Sequence, residues 1–435
     1  MEKEELEKEI LEKIDAYYEL VHKNKVFIPG KTKLNYSGRY YDASEMKAMA
    51  KSLLEFTLTY GKNGVMFEKE FAKTVCTKYA MLTNSGSSAN LLAVSALKSY
   101  KLKNKLENGD EVITPLCTFP TTLNPIIQNN LVPVFIDVEI GTYNMDLSLL
   151  DKALSKKTKA LMIPHTLGNP NDMDILCKFA KDNDLFLIED SCDALDSEYD
   201  GGKMGSFGDL STFSFFPPHH ITMGEGGCVV TNSPMLKTII CSIRDWGRAC
   251  WCEPDNSNTC GRRFMFEVDG VKYDHKYMYD HIGYNLKPLD MQAAMGLEQL
   301  KKLQMFTNMR KANFKRFYNF IKKYEKWFVL PKSIEKADPS WFAFVLTVKE
   351  NAPFTKQEIV GFLESRMIET RPLFSGNILS QPAYKNIKFD HRIVGETKNS
   401  DKILRSTFFV GVAPIVDERR MDFMIESFEE YLKKY

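Results

Sequence analysis

Residues 214–227 read Ser-Phe-Phe-Pro-Pro-His-His-Ile-Thr-Met-Gly-Glu-Gly-Gly. The apolar run Leu210 to Phe216 reads as a buried strand that Pro217 and Pro218 end. The Gly-Glu-Gly-Gly turn leads into a second strand, Cys228 to Val230. His219 and His220 therefore sit on a loop between two buried strands, and an imidazole there can move protons near neutral pH. Two further stretches carry chemistry. Asn84-Ser85-Gly86-Ser87-Ser88-Ala89 marks a change from strand to helix, where free N–H groups and small hydroxyl side chains suit a phosphate. Ile188-Glu189-Asp190-Ser191-Cys192-Asp193 closes an apolar strand and leaves Asp190 at its C-terminal end, facing the crevice in which α/β proteins bind ligands.

The cysteines form a fourth constellation. Of nine, three crowd together as Cys250-x-Cys252-x7-Cys260, and Cys192 precedes Cys250 with 57 residues between them. Closely spaced thiolates suit zinc or an iron-sulfur cluster, and four complete either kind of site. The polar segment around Cys250 to Cys260 is a poor place for a packed core, whereas Cys76, Cys117, Cys177, Cys228 and Cys241 read as buried free thiols.

These residues need a scaffold, and the hydrophobic pattern supplies one. From Tyr79 on, strands at Tyr79 to Thr83, Glu111 to Thr114, Pro133 to Val138, Ala160 to Ile163 and Leu185 to Ile188 alternate with helical stretches such as Gly86 to Lys98 and Ile175 to Lys181. Strands joined by helical crossovers predict an α/β protein with a mostly parallel central sheet covered by helices. Ahead of it, residues 4 to about 23 read as one amphipathic helix, and another runs from about Ser44 to Phe56. Behind it, a long helix is expected from Asp290 through Lys322, then a strand at Phe342 to Val348 and helices at Lys356 to Arg366 and Met421 to Lys433. The expected organisation is an N-terminal helical segment over 1–45, a large cofactor-binding domain over 46–300 and a smaller α/β domain over 301–435.

Bulk properties narrow the function. With 58 basic and 57 acidic residues the formal net charge is +1, without the footprint that nucleic acid or an anionic membrane requires. The N-terminus is charged and amphipathic, unlike a signal peptide, and no run of ~18 apolar residues occurs. A cytoplasmic location is the corresponding expectation.

The loop at 214–227 resembles the cofactor loop of the sugar aminotransferases that use pyridoxal phosphate. There Ser-Phe-x-x-x-Lys precedes a Gly-Glu-Gly-Gly-like turn, and the lysine anchors the coenzyme covalently. His219 stands in the lysine position, and that exchange resembles the 3-dehydrase branch of the family, in which the coenzyme is held noncovalently as pyridoxamine 5'-phosphate. The resemblance spans essentially the whole chain, from Phe27-Ile-Pro-Gly30 to Gly411-Val-Ala-Pro414, and includes Gly283-Tyr-Asn285-Leu-Lys-Pro-Leu-Asp290-Met-Gln292. It implies aminotransferase fold type I. It also implies that Ser87, Ser88 and Ser214 hold the phosphate, that Asp190 pairs with the pyridine nitrogen and that Phe119 stacks on the ring. Asn285 would reach the phosphate of a neighbouring subunit, hence a homodimer with shared sites, and His219 would be the catalytic acid and base.

The cysteine spacing adds to this. Cys192, Cys250, Cys252 and Cys260 resemble the 2Fe-2S ligand set of the CDP-4-dehydro-6-deoxyglucose 3-dehydrases, and three of them fall in an insert of roughly thirty residues that ordinary sugar aminotransferases lack. The implied reaction is loss of the C3 hydroxyl from a CDP-4-keto-6-deoxyhexose in 3,6-dideoxysugar synthesis. Its two electrons would come singly through the cluster from a separate flavin iron-sulfur reductase. Arg371, Lys287, Arg262 and Arg263 are candidate contacts to the nucleotide diphosphate. Two other readings stay open: a cluster-free dehydratase or aminotransferase of the same fold, and a noncatalytic redox sensor on that scaffold.

Overall fold

A computed structural model describes residues 2–23, 25–250, 252 and 258–435. Residues 253–257, inside the cysteine-bearing insert, lie outside the described residues.

Eight strands form the main sheet, in the order Tyr79–Thr83, Gly227–Thr231, Leu210–Ser214, Phe186–Asp190, Thr158–Pro164, Glu111–Pro115, Val132–Ile136 and Arg392–Val394. All neighbours pair parallel except Gly227–Thr231, which is antiparallel to both of its partners. The predicted α/β architecture with a mostly parallel sheet is therefore what forms. Its central strands are buried along almost their whole length because helices cover both faces. On one face Gly86–Ala96, Pro120–Gln128 and Pro234–Arg244 contribute Leu92, Ile126 and Ile240; on another Met173–Asp182 contributes Leu176 and Phe179.

A second sheet, antiparallel throughout, runs Phe328–Val329, Ala343–Val348, Thr407–Gly411 and Arg371–Pro372. It packs Phe344, Leu346, Phe408 and Val410 against the helices Leu303–Ile321, Lys356–Ser365 and Glu418–Leu432. Thr407–Gly411, the strand between two partners here, follows the short helix Lys398–Ser406 without a turn signal, and sequence reading passes over both.

Two helical expectations change. The helix expected over 290–322 is two, Asp290–Lys301 and Leu303–Ile321. Lys302 between them has φ −97° and ψ −4°, and its ammonium is drawn to Glu45 at 2.6 Å and Asp42 at 2.9 Å. The N-terminal helix runs over Lys3–Tyr18 and ends in one wide turn, Glu19–Lys23. Asp290, from the most recognisable sequence signature, is structural: buried, it accepts from the backbone N–H groups of Gly61 at 3.1 Å and Gly64 at 3.0 Å and so fixes the start of the helix Lys62–Thr74. Among the described residues no helix is long and apolar enough to cross a membrane.

Candidate active site

The parallel strands Thr158–Pro164 and Phe186–Asp190 end at one cavity of about 290 Å³, and the loop after Leu210–Ser214 closes it. Ser87, Phe119, Asp190, Ser214 and His219 all line it, beside Tyr36, Cys192, Asp193, Phe342 and Arg371. Phe119 and Phe374, 255 apart in sequence, meet there as an edge-to-face pair at 6.1 Å.

Asp190 is the best-supported side chain in the cavity. Its Oδ2 accepts from Asn90 Nδ2 at 2.9 Å and Thr122 Oγ1 at 2.7 Å, and its Oδ1 accepts from the Cys192 N–H at 3.2 Å. Thr212 Oγ1 in turn donates to Asn90 Oδ1 at 2.5 Å, which fixes the amide so that its NH₂ faces the acid. Three donors thus hold one buried carboxylate at a fixed angle to the cavity. Sequence reading misses Asn90 and Thr122, the two side chains that hold this carboxylate. The available signal is Asn90 itself, a fully buried amide inside the apolar helix Gly86–Ala96.

The phosphate turn is built by close approach of backbones. Ser85 caps the helix by accepting from the Ser88 N–H at 3.1 Å. A Cβ at Gly86 would stand 2.5 Å from Ser214 Cβ, and one at Gly227 would stand 2.3 Å from the Ser85 carbonyl oxygen. Glycine at both positions is what lets the helix N-terminus and the two strands converge. Ser87 is exposed toward the cavity, whereas the Ser88 hydroxyl stands behind it, 3.0 Å from Ser85 Oγ. A helix N-terminus flanked by Ser87 and Ser214, with an exposed Phe119 face nearby and a fixed acid opposite, fits a phosphorylated pyridine coenzyme.

The two histidines separate. His220 is buried, and its Nε2–H donates to the Ser340 carbonyl at 2.5 Å; burial, then the nearby Arg310 charge, pushes its pKa well below the usual histidine range. It is a neutral core residue. His219 faces the cavity with its ring centroid 5.4 Å from that of Phe342. Its Nδ1 lies 3.3 Å from Asp193 Oδ1, near enough for attraction but without hydrogen-bond alignment. Its backbone is pinned from below: the buried Arg310 donates to the His219 carbonyl at 3.2 Å and the Phe342 carbonyl at 3.0 Å. Burial lowers that guanidinium to about 9, against the pull of Asp193, and it stays charged at neutral pH. No pattern in the sequence marks Arg310 or Asp193 for this work.

Asn285 does not line the cavity. It is exposed, bridges to Asp245 through the backbone and accepts from Lys287 Nζ at 2.7 Å. Of the four cationic candidates only Arg371 lines the cavity, paired with Glu369 at 2.5 Å. Lys287 lies over the Trp246 ring at 3.6 Å, Arg263 pairs with Asp274 at 2.8 Å, and the Arg262 N–H donates to Cys260 Sγ at 3.3 Å.

Cys252 and Cys260 approach to 3.6 Å, and Cys250, Cys252 and His275 place their ligand atoms within 4.8 Å of one another. Hydrogen bonds from Thr259 and Cys260 outweigh burial and bring the Cys252 thiol down to about 6. Cys192 is not in that group. It lines the coenzyme cavity, where burial and then the Asp190 charge push its pKa well above the thiol range. Of the expected four, three thiols gather around His275 and Cys192 lines the cavity.

Comparison with known proteins agrees with this geometry. The model of the DegT/DnrJ/EryC1/StrS aminotransferase family matches residues 40–429. The chain is 47% identical over 410 residues to the lipopolysaccharide biosynthesis protein RfbH of Salmonella typhimurium, covering 94% of this chain and 93% of that one. It is 46% identical over 420 residues to the dTDP-4-dehydro-2,6-dideoxy-D-glucose 3-dehydratase of Saccharopolyspora spinosa, covering 96% and 90%. The solved structure of the Escherichia coli GDP-4-keto-6-deoxy-D-mannose-3-dehydratase with bound hydrated PLP superimposes with a TM-score of 0.82 at 32% identity, covering 90% of this chain and 98% of that one.

Proposed function

The chain belongs to the DegT/DnrJ/EryC1/StrS aminotransferase family, and on that premise we propose that it removes the C3 hydroxyl of a nucleotide-linked 4-keto-6-deoxyhexose, with CDP as the nucleotide and pyridoxamine 5'-phosphate as coenzyme. One observation carries the reading: an imidazole, not an amine, faces the cavity across from the fixed acid Asp190. Two relatives whose names are 3-dehydratases support it.

Ser87, Ser214 and the N-terminus of Gly86–Ala96 would hold the coenzyme phosphate, with Ser88 supporting that turn, and Asn285 would reach the same group in the neighbouring subunit of a homodimer. Asp190 would pair with the pyridine nitrogen, and Phe119 would cover one face of the ring. The bound coenzyme supplies an amine for the sugar ketone and a ring that accepts an electron pair. His219 would take a proton at Nε2, the nitrogen turned away from Asp193, and return one to the departing hydroxyl. Arg310 and Phe342 keep that ring in place. Arg371, which lines the same cavity, would contact the nucleotide phosphates.

Completing a deoxygenation requires two electrons. The cysteine-bearing insert would hold a 2Fe-2S centre, which passes electrons singly when bound, and a flavin iron-sulfur reductase would supply them. A second reading, a cluster-free dehydratase or aminotransferase, is favoured by Cys192 lining the coenzyme cavity. Anaerobic incubation with CDP-4-keto-6-deoxyglucose, pyridoxamine phosphate and a flavin iron-sulfur reductase, with dTDP and GDP sugars in parallel, tests both. A 3-deoxy product seen at C3 by NMR only when the reductase is present supports the first reading. Turnover unaffected by leaving the reductase out supports the second, and no turnover of any of the three removes the assignment.

A further inference from the structure

Tyr36 lies in the polar stretch that follows Phe27-Ile-Pro-Gly30, far in sequence from every motif of the cavity it lines. Its backbone is tied to the second sheet and its approach. The Leu34 N–H donates to the Met367 carbonyl at 2.8 Å, the Glu369 N–H donates to the Leu34 carbonyl at 2.9 Å, and the Tyr36 N–H donates to Glu369 Oε2 at 3.1 Å. Glycine at the end of Thr407–Gly411 permits this approach, since a Cβ at Gly411 would stand 2.2 Å from the Tyr36 carbonyl oxygen. One residue on, the Ser37 hydroxyl donates at 2.6 Å to the carbonyl of Pro218, the residue before His219. The segment is therefore fixed against both the second sheet and the His219 loop.

The side chain of Tyr36 enters the cavity in a definite order of neighbours. The Arg371 guanidinium lies over its ring, 5.1 Å from the centroid. On its other contacts the ring meets Phe409 edge-to-face at 5.5 Å and Phe342 at 6.3 Å, and Phe342 in turn lies 5.4 Å from His219. The series thus runs Arg371, Tyr36, Phe342, His219. Among the described residues none hydrogen-bonds to the Tyr36 hydroxyl. Burial raises the phenol above the ordinary tyrosine value, Arg371 offsetting only part of the rise, so the hydroxyl keeps its proton at neutral pH and is a donor.

That order matches the order of atoms in a nucleotide-linked hexose. The diphosphate is joined at C1, and the departing hydroxyl is on C3. With Arg371 at the diphosphate and His219 at the C3 hydroxyl, a donor placed between them meets C2. We infer that Tyr36 Oη donates a hydrogen bond to the C2 hydroxyl of the hexose, and that this contact selects sugars that carry the hydroxyl over their 2-deoxy counterparts. A site built to hydrogen-bond a substrate hydroxyl discriminates against the analogue lacking it, because its own donor is then left unpaired. The inference rests on the function proposed above for the two ends of the series and adds the residue between them.

The test is calorimetric binding to the full-length, coenzyme-loaded protein, wild type and Tyr36→Phe. The probes are CDP-6-deoxyglucose, whose C4 hydroxyl in place of the ketone keeps it from reacting, its 2-deoxy counterpart and CDP alone. Phenylalanine keeps the ring packing on Phe409 and Phe342, and coenzyme absorbance checks the fold. The wild type should bind the 2-hydroxy sugar about five- to ten-fold more tightly than the 2-deoxy sugar, the usual worth of one neutral hydrogen bond. Tyr36→Phe should lose that same factor for the 2-hydroxy sugar while its affinities for the 2-deoxy sugar and CDP stay within about two-fold of wild type. A role in structure alone would weaken all three ligands alike, and that result overturns the inference. Equal losses for the two sugars with CDP unchanged put the phenol on another hexose oxygen and overturn it as well, as does a variant that binds every probe like the wild type. If the wild type turns over the keto sugar yet does not distinguish the two probes, the Tyr36 contact falls and the function reading stands. If the wild type binds neither sugar nor CDP, the function reading falls and takes the contact with it.

Discussion

His219 and His220 differ in which side of one loop they face, and that difference separates a candidate catalyst from a core residue. His220 is spent on the Ser340 carbonyl, whereas His219 has one nitrogen beside Asp193 and the other free for the cavity. Replacing His219 by Asn keeps a polar side chain of similar reach but removes the proton carrier. Turnover should fall by about 10²–10⁴, the usual worth of a positioned acid–base group, while coenzyme titration followed by absorbance stays unchanged; unimpaired turnover would take His219 out of the mechanism. On the same reading Asp193 would act through His219, whose Nδ1 lies 3.3 Å from its Oδ1. Asp193→Asn should lower kcat by about ten-fold, some 1.4 kcal/mol of barrier, with KM preserved, and Asp193→Glu should restore part of it. An equal loss in the binding of substrate would instead make Asp193 a contact to the sugar.

At the scale of elements, the short strand Arg392–Val394 matters because it ties the chain's last third to the outer edge of the main sheet, beside Val132–Ile136. Its anchor is a two-pronged ion pair: Arg392 Nε and Nη2 each donate to Glu111 at 2.7 Å, and Ser155 adds a third donor at 2.6 Å. Burial raises the Glu111 carboxyl, but these partners outweigh it and hold it below the ordinary glutamate value of 4.5. A carboxyl lowered in the folded state stabilises fully above its unfolded value, and the stabilisation is lost as pH falls through the lower folded value. Glu111→Gln should therefore reduce unfolding free energy by about 2 kcal/mol at neutral pH, and the gap to wild type should close as denaturation is repeated below about pH 4. A gap that is constant with pH would show that packing, and not the charge, is what Glu111 contributes.

The whole molecule, as proposed, is a homodimer in which each site borrows Asn285 from its neighbour. That arrangement predicts complementation. Asn285→Ala and His219→Asn homodimers should both be poorly active, yet mixing and re-equilibrating them should recover activity, because a heterodimer contains one site with both native residues. Failure to recover any activity in confirmed heterodimers would place Asn285 in a structural role, bridging to Asp245 and taking the Lys287 proton donor as it does within one chain. Much of this molecule was legible beforehand. Period and turn chemistry are local, so the alternating strands and helices, the glycine-rich return after residue 223 and the strand-end position of Asp190 followed from the residues themselves. Local pattern placed His219 on a loop between two buried strands, and the resemblance of residues 214–227 to a coenzyme loop is what marked it out from His220. What distance in sequence hides is partnership. Asn90 and Thr122 around Asp190, Arg310 beneath His219, the break at Lys302 and the return of Arg392–Val394 to the first sheet depend on side chains that meet only after the layers pack. The cysteines divide along the same line: their crowding at 250–260 is written in the chain, but the approach of the His275 ring to them is not. A hairpin returns the chain to bring His275 there, while Cys192 lines the cavity, because backbone direction, and not spacing, decides which side chains meet.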